Sequence, residues 1–196
     1  MATVATEERP KRRLRRADWV EAALEAIAQG GLSAVAVEPI AVRLGVTKGS
    51  FYSHFSSRDE LIDAALDSWE ESHGRSGLER FARIDDPAER LRQVMLAAVA
   101  FSQSGAPSVH VSLLAELGDA RVRAAISRVT DSRIGLLTRS YRQLGLSPQG
   151  AAHRARLAYA TYLGLLQLAR EAPRRRLGKR DMARFLAEVD SVLVKR

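Results

Sequence analysis

Apolar residues recur along this chain at intervals of three and four, the spacing that gathers them on one side of an α-helix. Trp19, Val20, Ala23, Leu24 and Ile27 predict a first helix over residues 15–29, closed by Gly30-Gly31. Two short helices follow over residues 38–44 and 47–55, with Pro39 tolerated in the first turn and Gly45 between them. Ser57 to Glu60 reads as a capping box that opens a helix through Leu61, Ala65 and Trp69 towards Gly74. After a polar break at residues 73–77, Asp86-Pro87 starts a helix reaching Ser104. Further helices are predicted over residues 108–117, 119–144, 147–170 and 180–194. Period-two alternation is almost absent. Nine helices in an all-α fold are expected, with a boundary between residues 9–72 and 73–196.

The stretch Val37 to Phe55 is the most informative. Ile40, Leu44, Val46, Phe51 and Phe55 form a small apolar interior, with Phe51 and Phe55 one turn apart. At about 100° per residue, Gly49, Ser50, Tyr52 and Ser53 then face outward. Thr47 is placed to cap the second helix. A short helix with a hidden aromatic edge and an outer face of small, hydroxyl and basic groups suits the DNA major groove. Lys48, Tyr52 and His54 are expected at phosphates, and Ser50 and Ser53 near base edges, where a hydroxyl discriminates weakly. Gly49 lets the backbone approach the DNA.

Charge strengthens this reading. The net formal charge is +8, and the first 16 residues hold six basic side chains against two acidic ones. Arg12, Arg13, Arg15 and Arg16 therefore make a basic arm beside the candidate recognition helix, and Arg58 adds a further phosphate contact. A second run, Arg174 to Arg180, fits a solvated loop.

These residues resemble the TetR/AcrR family of transcriptional regulators. The resemblance is carried by Ile40-Ala41, Gly45-Val46-Thr47-Lys48-Gly49, Tyr52, His54-Phe55 and Ser57 to Leu61. It implies an N-terminal three-helix DNA-binding unit and a larger helical domain that binds small molecules and dimerises. One departure stands out: the family often begins its second helix with Thr or Ser, and here Ala36 and Val37 stand there.

Later helices carry the expected partners. Leu157, Thr161, Gly164 and Leu168 form a stripe, and Phe185, Val189 and Val192 form another on the final helix; both fit a four-helix interface between two copies. Trp69, Met95, Phe101, His110, Tyr141 and Tyr162 are candidates for lining an effector pocket. No cofactor is expected, although a small-molecule effector fits. The four histidines lack metal-ligand spacing, and the chain has no cysteine. Without G-x-S-x-G, H-E-x-x-H or a P-loop, an all-α enzyme is the weaker reading. A sequence-indifferent architectural DNA protein is the other alternative. With neither a secretory signal nor a transmembrane run, the expected place is the cytoplasm.

Overall fold

The computed structural model describes residues 14–171 and 178–194, with Lys179 and Arg180 by backbone alone. Arg12, Arg13 and residues 174–176 lie outside the described residues. Ten α-helices follow in order among the described residues: α1 (Arg16–Gly30), α2 (Val37–Arg43), α3 (Lys48–Tyr52), α4 (Arg58–His73), α5 (Arg75–Ala82), α6 (Pro87–Ser104), α7 (Val109–Leu114), α8 (Ala120–Gln143), α9 (Pro148–Glu171) and α10 (Lys179–Val189). A 3-10 turn, Leu32–Ala34, separates α1 from α2, and a π-helical turn, Asp190–Val194, extends α10. No strand occurs among the described residues.

All nine expected helices form, and α5 is an addition. The reason is a contact invisible in local composition. At Gly77 a Cβ would collide with the Ser72 carbonyl, so glycine there lets α5 fold back tightly against the end of α4. The polar break is thus a helical corner.

The helix starts follow donor satisfaction. The Arg15 N–H donates to Asp18 Oδ2 at 2.6 Å, and Asp86 Oδ1 accepts the Ala88 N–H at 3.0 Å ahead of Pro87. At α4, Ser57 Oγ accepts the Glu60 N–H at 3.1 Å. Glu60 reciprocates one residue further back than a capping box requires, accepting from the Ser56 N–H at 2.7 Å. These hydrogen bonds, led by the Ser56 N–H, hold the Glu60 carboxyl at about 2.

Two apolar clusters fill the molecule. The first joins α1 to α4 with Leu113 of α7 and Val122, Ala125, Ile126 and Val129 of α8. Its centre is Trp19, Ile27, Phe51, Leu61 and Ile62, all 0% exposed. The second joins α6, α8 and α9 to the terminal turn through Leu91, Tyr141, Ala155, Ala158 and Leu193. Polar ties cross between the N-terminal helices and the rest. Glu116 Oε1 accepts the Leu32 N–H at 3.2 Å, and Ser112 Oγ donates to the Ala28 carbonyl at 2.9 Å. Arg121 reaches Asp59 and Asp63 of α4 at 3.2 and 3.1 Å. No helix among the described residues is long and apolar enough to cross a membrane.

Candidate nucleic-acid interface and a neighbouring cavity

The join between α2 and α3 is built on Gly45, whose φ of +71° lies in the left-handed region. This conformation lets the Gly45 N–H reach the Val42 carbonyl and the Val46 N–H reach the Ala41 carbonyl, each at 3.0 Å. The pair is a Schellman closure, which satisfies the last carbonyls of α2 while turning the chain sharply. Thr47 then enters α3 in extended conformation but makes no side-chain capping bond. Its expected capping role is therefore corrected: Thr47 Oγ1 has no hydrogen-bond partner among the described residues, and the Ser50 N–H bonds the Thr47 carbonyl instead.

The aromatic side of α3 is anchored from below. Phe51 meets Trp19 edge-on at 5.4 Å and stacks on Phe55 at 5.6 Å. With Phe51 buried, helical geometry turns its neighbours outward. Tyr52 is 58% exposed; Lys48, Gly49 and Ser53 are also exposed, while Ser50 and His54 are half-buried. The Ser53 hydroxyl donates to the Ser50 carbonyl at 2.7 Å. The face also holds residues that sequence reasoning missed. Val42 of α2 is 79% exposed; its position outside the Ile40-Ala41 pair was the available signal. Glu38 Oε1 accepts from Lys48 Nζ at 2.8 Å. That hydrogen bond, and the opposite charges after it, lowers the Glu38 carboxyl and raises the Lys48 ammonium.

The basic residues divide. Arg16 donates to Glu60 Oε1 at 3.0 Å, and its guanidinium lies 4.3 Å from the Phe55 ring centre, so it is tied to α4. Arg15 is exposed beside Asp18, 3.8 Å away. Arg58 departs from expectation: its Nε donates to the Val35 carbonyl at 2.6 Å and its Nη2 to the Leu32 carbonyl at 2.5 Å. Two of its nitrogens therefore clamp the α1–α2 connection to the start of α4. A planar guanidinium presents Nε and Nη donors in a fixed fork, which suits two separate carbonyls better than the single point charge of an ammonium.

A cavity of about 410 Å³ opens between the end of α4, α5, α6, α8 and α9. Met95, Phe101 and Tyr162 border it; Leu78, Phe81, Val94, Leu136 and Leu137 supply further apolar wall. Arg133, Tyr159 and Arg80 belong to it and were not foreseen, because their convergence depends on how α5, α8 and α9 pack.

Three expected lining residues lie elsewhere. Trp69 is 1% exposed in the first cluster. Tyr141 is buried in the second, its hydroxyl donating to the Leu193 carbonyl at 2.7 Å, and burial pushes its pKa up to about 12. His110 sits behind the cavity wall, tilted against Trp69 at 5.6 Å and 3.5 Å from the Tyr159 hydroxyl. Burial, and then the charges of Arg133 and His73, push its pKa down to about 3. No group of three or more potential metal ligands occurs among the described residues.

The expected copy-to-copy surface also splits. Leu157 and Leu168 are 60% and 61% exposed, and Val192 is 62% exposed. Gly164 is exposed and Thr161 half-buried. Val189, by contrast, belongs to the second apolar cluster, and Phe185 packs against it. Val189 is therefore corrected to this chain's own interior, where the end of α10 and its π-turn cover α6 and α9, while Phe185 is half-buried at the edge of that cluster.

Residues 20–65 match the sequence model of a family described as bacterial regulatory proteins, tetR family. Over 76 residues the chain is 37% identical to the HTH-type transcriptional regulator TtgR of Pseudomonas putida, covering 39% of this chain and 35% of that protein. The match thus spans about a third of that relative's length. A TetR transcriptional regulator from Legionella pneumophila superposes with a TM-score of 0.75 at 14% identity, covering 93% of this chain and 99% of that one. The structure of AibR in complex with isovaleryl coenzyme A and operator DNA superposes with a TM-score of 0.66 at 20% identity, covering 93% and 99%. Residues 20–65 thus carry a segment similar to the N-terminal part of the tetR family, and the described residues share the fold of these solved TetR regulators.

Proposed function

We propose that this chain is a ligand-responsive transcriptional regulator, a repressor that binds double-stranded operator DNA as a homodimer. One observation carries the reading: α3 buries Phe51 completely while Tyr52, Lys48, Gly49 and Ser53 stand on one exposed face. Lys48, Tyr52, His54 and the Thr47 hydroxyl take phosphates, and Gly49 allows close approach. Ser50 and Ser53 meet base edges, and Val42 is placed to touch a thymine methyl. Arg15 and the preceding Arg12 and Arg13 add charge at the duplex, while Arg16, paired with Glu60, braces α1 against α4. Arg58 serves by clamping the unit rather than by binding phosphate.

Residues 9–72 form the DNA-binding domain and residues 73–196 the effector and dimerisation domain. The exposed stripe of Leu157, Thr161, Gly164 and Leu168 on α9, with Val192, is the surface that pairs. The cavity is the effector site. AibR was solved with both a small molecule and operator DNA, and this chain shares its fold. An effector shifts the protein only if it prefers one arrangement of the paired recognition helices. By linkage, operator DNA then weakens effector binding by the same factor, typically ~1–3 kcal/mol of coupling. Such a protein works in the cytoplasm.

The test is selection of bound duplexes from a random DNA pool. Enrichment of a palindrome with half-sites roughly 34–36 Å apart is expected. Binding without enrichment over bulk DNA identifies an architectural protein instead, and absence of binding rejects the DNA reading.

A further inference from the structure

Arg133 is an unusual wall for a cavity of this kind. Its neighbours there include Leu136, Leu137, Met95 and Phe81, and the lining contains no aspartate or glutamate. The guanidinium makes no ion pair with any acidic side chain among the described residues. Its Nε donates to the His73 carbonyl at 3.3 Å, and its carbon lies 5.1 Å from the Tyr162 ring centre. Nη1 is enclosed with no hydrogen-bond partner at all. A charged donor left unpaired in an apolar setting is costly, and such groups are rare enough in folded proteins to require a cause.

Other charges point the same way. Arg80 is the second charged residue of the lining, its guanidinium carbon 4.5 Å from the Phe81 ring centre. Loss of solvent and the Arg133 charge hold His73 below its ordinary value, which favours its neutral form. The aromatic rings of Tyr159 and Tyr162, 6.0 Å apart, resemble part of a cage for an organic cation. Arg133 already occupies the neighbourhood of Tyr162, however, and no carboxylate is present to offset a second cation. Net positive charge in an apolar cavity selects an anion.

We infer that the cavity binds a small organic acid, its carboxylate paired with the Arg133 guanidinium and its apolar body against the α5, α6 and α8 walls. This rests on the cavity being the effector site and adds the chemical class of the effector. The volume of about 410 Å³ lies towards the small end of ligand pockets, roughly 300–1,000 Å³.

The experiment is calorimetric titration of the whole chain with octanoate and 3-phenylpropanoate, each beside its matching alcohol and trimethylammonium compound. At least one acid should bind about tenfold or more tightly than its alcohol, as a charge-assisted pair predicts, and the ammonium compounds should not bind. In Arg133→Met, which keeps an apolar stem, the preference for acid over alcohol should vanish. The wild-type comparison decides the matter even if that variant unfolds. Equal binding of acid and alcohol, tighter binding of the ammonium compound, no binding by either acid, or an undiminished preference in a folded Arg133→Met would overturn the inference. Operator occupancy measured with and without the acid separates the two readings. An acid that binds but leaves DNA occupancy unchanged defeats effector control and leaves the ligand class standing; failure of both acids while DNA selection succeeds defeats the ligand class alone.

Discussion

Around Trp19, Phe51 and Phe55 the chain is closed, whereas between α5, α6, α8 and α9 it is left open by about 410 Å³. Both regions tolerate an unsatisfied polar atom. In the first it is the neutral indole N–H of Trp19; in the second it includes the charged Arg133. A neutral N–H can be left unpaired for a modest cost in exchange for a large buried ring, but an unpaired charge demands far more. The closed region spends its packing on holding a rigid external surface. The open region gives up packing around a charge that a ligand can complete.

The largest test of this contrast is the cost of truncation. Phe51→Ala removes a fully buried ring beneath α3 and should cost about 3–5 kcal/mol of unfolding free energy. Met95→Ala removes a side chain that already borders empty space. It should fall near the bottom of the ~2–5 kcal/mol range for such changes, since fewer contacts are lost. Urea unfolding of both variants measures the difference. Equal losses would mean that the two regions are packed alike.

The same contrast explains what was legible in the sequence. The α2–Gly45–α3 unit is local: its turn, buried aromatics and outer face lie within nineteen residues, so helical spacing alone places them. Helix starts were equally readable, because Ser57, Asp86 and Asp119 satisfy donors two or three residues away. The cavity is not local. Arg133 and Phe81 meet there through packing among helices separated by some fifty positions, and no periodicity reports that. Spacing also cannot tell an apolar stripe covered by this chain from one left bare, which is why Val189 and Leu168 looked alike. Arg58 was misjudged for a related reason: its carbonyl partners, Leu32 and Val35, are brought to it by the fold.

A second test uses acid. His110 is buried with its pKa moved from the usual 6.5 down to about 3. Between those values the unfolded chain binds more protons than the folded one, so the free energy of unfolding rises with pH across that window. His110 therefore stabilises the protein fully above about pH 6.5 and progressively less as pH falls, by up to ~1.4 kcal/mol per pH unit. Melting temperature should fall more steeply from pH 6.5 to 4.5 in wild type than in His110→Gln. Parallel profiles would show that His110 titrates normally and that the wall behind the cavity is wet.

The smallest effect lies on the closed region's outer face. Lys48 cannot give its full charge to a phosphate while Glu38 holds it at 2.8 Å. Both side chains are more than half exposed, so the pair contributes little to folding. It acts instead on the encounter with DNA, because a carboxylate beside a phosphate is repelled. Glu38→Gln should leave unfolding unchanged and tighten operator binding a few-fold at low salt, the gain fading as salt screens the charge. Lys48→Ala should do the reverse, weakening binding and reducing the salt slope by about one phosphate equivalent. Titration of operator duplex across a salt series measures both. If Glu38→Gln binds no better at low salt and Lys48→Ala keeps the wild-type slope, this ion pair does not face the DNA, and the recognition face must be redrawn around Tyr52 and Val42.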